Sequence, residues 1–223
     1  MKISILTLFP EMFEPLKHSI IKRATDRGVF ELNIVDIREF SEDKHGKCDD
    51  EPFGGGVGMV MTPQPIYDAI SSVDPDHSAW RVFMSPKGAT FNVGIAKRLA
   101  LGRDLVILCG HYEGVDQRVI DLCIDEEISI GDYILTGGEL PAMVVVDCVS
   151  RFIPGTIKEE SAQGDSFSEG LLEYPQYTRP RVFKGLEVPD VLLSGHHEKI
   201  DKWRRQKSLE FTAKLRADLL EDK

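Results

Sequence analysis

Short apolar runs that stop at glycine-containing turns, with helical patterns between them, constrain this chain more than any other feature. Ile3–Leu8, Trp80–Met84 and Leu105–Cys109 are runs of the length and composition expected of strands buried in a sheet. Phe30–Phe40 alternates through Leu32, Ile34 and Ile37 and is expected to form another strand, and Ile128–Leu135 a strand and turn. Between them lie helical spacings. Pro10 precedes Met12, Leu16, Ile20 and Ile21, a pattern closed near Gly28. Thr62-Pro63 sets an N-cap and a proline at the first helical position before Ile66, Ala69 and Ile70. Val93–Leu101, Val115–Ile124 and Leu140–Phe152 read as further helices. Strands alternating with helices predict an α/β domain with a mainly parallel sheet, ending near Pro154, over residues 1–155.

Residues 156–172 are expected to be a flexible interdomain linker, because Thr156–Ser168 is polar, contains glycine and is poor in apolar side chains. After Pro175, Pro180 and Pro189, a helical segment expected to run from about Glu198 to the end of the sequence carries Ile200, Trp203, Leu209, Leu215 and Leu219 as its apolar positions. Residues 173–223 are therefore expected to form a small helical domain. No run approaches the roughly 18 apolar residues of a membrane span. The opening apolar run meets Pro10 and Glu11 before it would make a signal-peptide core. Cys48, Cys109, Cys123 and Cys148 are widely spaced with no C-x-x-C pair, so neither a disulfide framework nor a zinc ribbon is indicated. A cytoplasmic protein without a membrane partner is the expectation.

Charge bears on partners. The chain has 27 Lys+Arg and 37 Asp+Glu, a net of −10, which argues against general adhesion to nucleic acid. The charge is uneven, however. Residues 196–223 hold eight basic and six acidic side chains, which leaves −12 over residues 1–195. Within 199–216, Lys199, Lys202, Arg204, Arg205, Lys207, Lys214 and Arg216 face only Asp201 and Glu210, a local +5. Such a stripe is either a solvated helix face or an RNA contact. Trp203 among the cations would then pack in a core or stack on a base.

In a parallel sheet, ligands sit beyond the carboxyl ends of strands. Here three turns follow buried runs: Ser85-Pro86-Lys87-Gly88, Gly110-His111-Tyr112-Glu113-Gly114, and Ile130-Gly131-Asp132-Tyr133-Ile134-Leu135-Thr136-Gly137-Gly138-Glu139. Glycine lets backbone N–H and C=O groups approach a flat ligand, so three such turns predict a pocket able to read an adenine ring. The further stretch Gly54-Gly55-Gly56-Val57-Gly58-Met59 matches neither the dinucleotide fingerprint nor the P-loop. His111 and the pair His196-His197 are expected to be turn or surface histidines, since no third metal ligand has suitable spacing.

At Gly110–Gly114, Ile130–Tyr133, Thr136–Glu139, Arg151-Phe152-Ile153-Pro154-Gly155 and Asp165-Ser166-Phe167, the chain resembles the bacterial TrmD family. These are tRNA (guanine-N1)-methyltransferases of the SPOUT superfamily. Leu6–Phe13, Gly54–Met59, Tyr177-Thr178-Arg179-Pro180 and Trp203–Leu209 extend the likeness over nearly the whole chain.

That resemblance implies a deep trefoil knot, a homodimer with an active site shared between protomers, and S-adenosylmethionine as methyl donor. The substrate it implies is the guanosine immediately 3′ of the anticodon in tRNA. Cofactor contacts would fall on Met84, Ser85, Pro86, Gly110, Tyr112, Glu113, Ile130, Gly131, Asp132, Tyr133, Ile134, Leu135, Gly137 and Gly138. By the same similarity Asp165 is the general base and Arg151 the stabilising cation; Glu113 is the candidate for contacting the target base or a Mg²⁺ ion, since a carboxylate is a hard ligand suited to it. RNA contacts are expected from Lys199, Lys202, Trp203, Arg204, Arg205 and Lys207. A knotted methyltransferase for another RNA, a non-catalytic RNA-binding dimer and a metabolic nucleotide-binding enzyme are the competing readings.

Overall fold

The computed structural model describes residues 1–157, 166–167 and 170–221, and they divide into two compact units, Met1–Ile157 and Lys158–Lys223. Five strands form the sheet of the first unit: β1 (Lys2–Thr7), β2 (Glu31–Asp36), β5 (Trp80–Thr90), β6 (Leu105–Cys109) and β7 (Glu126–Ser129). Their order is β2-β1-β6-β5-β7 and every pairing is parallel. A separate antiparallel pair joins β3 (Asp49–Asp50) to β4 (Val60–Met61).

Strand alternation explains the layers. Successive side chains of a strand point to opposite faces. Leu105, Ile107 and Cys109 therefore enter one cluster, with Phe13, Leu16, Ile21, Ala96, Val145 and Val149 from helical segments. Val106 and Leu108 enter the other, with Ile66, Ala69, Ile70, Val119 and Ile120. The covering helices are α1 (Ser19–Asp26), α2 (Pro63–Val73), α3 (Val93–Leu99), α4 (Gln117–Cys123) and α5 (Glu139–Ser150). Both faces of the central strand β6 are buried, which is why it reads as a continuous apolar run.

Three expectations are corrected here. The second strand stops at Asp36, and Ile37–Phe40 turns as a 3₁₀ segment in which the Asp36 carboxylate accepts from Arg38 N at 2.8 Å. The first helical pattern is split, with a 3₁₀ segment Pro10–Lys17 containing Pro15, an extended His18, and then α1. The run Trp80–Met84 does not end in a turn at Ser85. It continues as β5 to Thr90 through a bulge, so that Met84 and Ala89 both face Ile128.

The second unit holds a hairpin of β8 (Val182–Phe183) and β9 (Leu186–Glu187), a short helix Asp190–Leu193, the long helix His197–Leu215 and a last turn Asp218–Glu221. Within this unit Glu173 N donates to Ser166 Oγ and Leu172 N to Thr212 Oγ1, both at 2.9 Å. No helix among the described residues is long and apolar enough to cross a membrane.

Candidate active site

A cavity of about 300 Å³ opens beyond the carboxyl ends of the adjacent strands β6, β5 and β7. Its walls come from each strand exit. The β5 bulge supplies Met84, Ser85 and Pro86, and Lys87 N donates back to Ser85 Oγ at 3.2 Å. Gly88 allows this bulge, because a Cβ there would lie 2.3 Å from the Glu127 carbonyl carbon. The β6 exit supplies Gly110 through Gly114. That loop is strapped by the segment entering β4: Glu113 N donates to Met59 O at 3.0 Å and Met61 N to Gly114 O at 2.9 Å.

The β7 exit supplies Ile130, Gly131 and Tyr133 through Gly138. Ser129 Oγ holds its start at Gly131, and Tyr133 OH donates to Ile130 O at 3.2 Å. Its end lies against the β6 exit, with His111 bridged to Gly137 and Gly138 N donating to Gly110 O at 2.8 Å. A Cβ on Gly138 would stand 2.8 Å from Cys109 Cα, so this approach requires glycine. Helix α5 starts at the next residue.

Thirteen of the fourteen expected cofactor positions line this cavity; the exposed Asp132 does not. Apolar walls from Met84, Ile128, Ile130, Leu135 and Pro141, combined with backbone groups at the glycine turns, suit a flat heteroaromatic ring. Glu113 is an exposed carboxylate on the same wall. Gly58 packs over it, since a Cβ at 58 would meet Glu113 Cγ at 2.5 Å. Among the described residues no cluster of three or more His, Cys, Asp or Glu side chains is arranged to hold a metal ion.

Arg151 is not brought to this cavity. It caps the far end of α5, thirteen residues beyond Gly138 or about 20 Å along the helix, and is half-buried. Asp165 lies outside the described residues.

Two residues here carry no functional expectation from the sequence: Glu139, which lies behind the lining, and His111, expected to be a turn or surface histidine, which lines the cavity. Glu139 is 1% exposed and its Oε1 accepts from Thr7 Oγ1 at 2.8 Å. A carboxylate in the first turn of a helix is ordinary, because it complements the helix dipole, and so gave no signal. The His111 ring lies against Phe9 at a centroid distance of 4.8 Å, and its backbone N contacts Met61 Sδ at 3.2 Å.

In the second unit the expected RNA-contacting residues separate. The packed face of the long helix repeats every three to four residues through Ile200, Trp203, Arg204, Lys207, Ser208, Phe211 and Thr212, all buried or half-buried. Trp203 lies 6.3 Å from the Tyr177 ring, and the Arg204 guanidinium is 4.9 Å from the Tyr174 ring. Lys207 pairs with Glu210 at 2.6 Å. Lys199, Lys202 and Arg205, spaced three apart, stay on the exposed face. Leu209 and Leu215, apolar positions of the helical pattern, are 42% and 62% exposed.

Comparison with known proteins agrees with the geometry. The family model described as tRNA (Guanine-1)-methyltransferase TrmD matches residues 1–222. A relative from Clostridioides difficile (strain 630), named tRNA (guanine-N(1)-)-methyltransferase, is 54% identical over 224 residues, covering 98% of this chain and 97% of that protein. A relative of the same name from Clostridium beijerinckii is 57% identical, covering 98% of this chain and 92% of that protein. One from Carboxydothermus hydrogenoformans is 54% identical, covering 99% and 87%. With a strand-end pocket built from the turns its sequence singles out, and with likeness along its whole length, the chain belongs to the tRNA (guanine-1)-methyltransferase TrmD family.

Proposed function

We propose that this chain transfers a methyl group from S-adenosylmethionine to N1 of the guanosine immediately 3′ of the anticodon in tRNA. The observation that carries this reading is the cavity assembled by three strand-end turns in a chain of this family. When bound there, S-adenosylmethionine supplies a methyl group already activated by its sulfonium. Met84, Ile130, Leu135 and Pro141 would hold its apolar surface, and the backbone at Gly110, Gly131 and Gly137 would read its ring edge. The tyrosines Tyr112 and Tyr133 stand at the exposed rim.

The demanding step concerns the acceptor. Guanine N1 carries a proton and is a poor nucleophile until it leaves. Asp165 takes that proton as general base. Arg151 stabilises charge that shifts to the guanine oxygen. Glu113, on the pocket wall, would orient the target base or hold a Mg²⁺ ion; one carboxylate suits an ion that keeps several waters.

The functional unit is a homodimer with a shared site. Arg151 is about 20 Å from the turn at Gly138 in its own chain, which favours its use at the partner's pocket. Leu140 and Val144, one turn apart on α5 and each 48% exposed, offer an apolar face for a second copy. The trefoil knot belongs to the same reading, supported by the tight passage of Gly138 against Cys109 and Gly110. The second unit docks tRNA through Lys199, Lys202 and Arg205, with binding that weakens as salt rises. A tRNA substrate places the protein in the cytoplasm.

Incubation with methyl-labelled S-adenosylmethionine and either unmodified tRNA or ribosomal RNA tests this reading. Label is expected in tRNA; label confined to ribosomal RNA, or in neither, contradicts it.

A further inference from the structure

Beneath the pocket floor lies a buried carboxylate without a task in the reaction described above. Glu139 Oε1 accepts from Thr7 Oγ1, and Thr7 itself is 0% exposed at the carboxyl end of β1. The other oxygen, Oε2, stands directly behind Gly137. A Cβ at position 137 would lie 2.3 Å from it and 2.5 Å from His111 Nδ1. Gly137 and His111 both line the cavity. Among the described residues, the basic side chain within 4 Å of Glu139 is His111, at 3.8 Å, and no Lys or Arg joins it. The Glu139 charge also reaches Cys109, whose thiol is pushed well above its ordinary range first by burial and then by that carboxylate.

The sign of this charge matters for what the floor can hold. The amino end of α5 presents partial positive charge at the same place, and alone it would favour anions. A buried carboxylate, poorly screened by water, reverses that polarity. Methyl transfer changes the ligand's charge: the C–S electron pair stays on sulfur, and a sulfonium becomes a neutral thioether.

We propose that Glu139 is a specificity-determining residue whose charge makes the pocket favour the sulfonium substrate over the thioether product. The inference rests on the S-adenosylmethionine reading. Glu139 acts from behind the wall, so substrate is retained and product is released more readily after transfer.

Isothermal titration calorimetry with S-adenosylmethionine and, separately, S-adenosylhomocysteine tests it at about pH 8. The proteins are the unaltered chain, Glu139→Gln, Thr7→Val, and the double variant Thr7→Val/Glu139→Leu. In Glu139→Gln the preference for the sulfonium is expected to fall about tenfold, with affinity for the thioether nearly unchanged. Thr7→Val removes the hydrogen bond and keeps the charge, so its preference should match the unaltered chain. The double variant replaces both hydrogen-bonding partners by apolar groups, a change proteins tolerate, and covers the case in which Glu139→Gln does not fold. It should show the same tenfold fall. Equal weakening of both ligands in the charge-removing variants would mean a structural role and overturn the proposal. If the unaltered chain binds neither ligand, the cofactor reading itself fails.

Discussion

At Gly138 a single hydrogen in place of a methyl group decides whether two strand exits can meet. Its Cβ would collide with Cys109 Cα at 2.8 Å, and both partners are backbone or backbone-bound. Gly138→Ala is expected to cost about 1–3 kcal/mol of stability. It should also reduce the rise in melting temperature given by S-adenosylmethionine, which differential scanning fluorimetry reads; an unchanged rise would separate this contact from the pocket. Asp165→Asn tests the chemistry instead. Calorimetry should show cofactor binding retained while methyl transfer is lost, and near-normal turnover would remove Asp165 as the base. The glycines were legible because closely approaching backbones demand them wherever they occur. Side-chain direction was not. Asp132 sits inside a pocket motif yet its side chain faces solvent, whereas Glu139 next to the same motif turns inward to Thr7.

Elements show the same division between pattern and context. Strands β1, β5 and β6 were readable because burial on both faces leaves apolar runs. The continuation of β5 past Met84 was not, because Ser85-Pro86-Lys87-Gly88 has turn composition whether a strand ends or bulges. Helix His197–Leu215 starts close to the expected Glu198 but stops at Leu215, where Arg216 leaves the helical conformation before the turn Asp218–Glu221; its buried face is carried by Ser208 and Thr212 with half-buried Arg204 and Lys207, which apolar periodicity alone does not reveal. Between α2 and β5, the carboxylate of Asp74 accepts from Ser78 N at 2.8 Å, Ala79 N at 3.2 Å and Arg81 Nε at 2.7 Å. Burial pushes this carboxyl up, and the Arg81 and backbone hydrogen bonds outweigh it and hold it below the ordinary range. Its contribution to stability is therefore present above the unfolded-state value of about 3.9 and lost as pH falls through the lower folded value. Asp74→Asn should flatten the acid limb of the melting-temperature profile, and an unaltered limb would assign the acid sensitivity elsewhere. Arg81→Ala leaves a buried charge without its partner and is expected to cost about 3–5 kcal/mol in urea unfolding.

For the whole molecule, averages mislead and distribution informs. A net charge of −10 combines −12 over residues 1–195 with the exposed cations of the long helix, so selective docking on folded tRNA is compatible with an acidic chain. Site sharing is a claim at this scale, since Arg151 and the pocket lie at opposite ends of α5. Mixing a pocket variant, Leu135→Arg, with Arg151→Ala should restore activity to about a quarter of the unaltered level, because half the dimers would carry one complete site. No recovery with heterodimers present would contradict sharing. The most direct measurement is to methylate unmodified tRNA, digest it and locate the product by mass spectrometry. The account predicts N1-methylguanosine immediately 3′ of the anticodon and none when that guanosine is replaced by adenosine; a methyl group at any other nucleotide would contradict it.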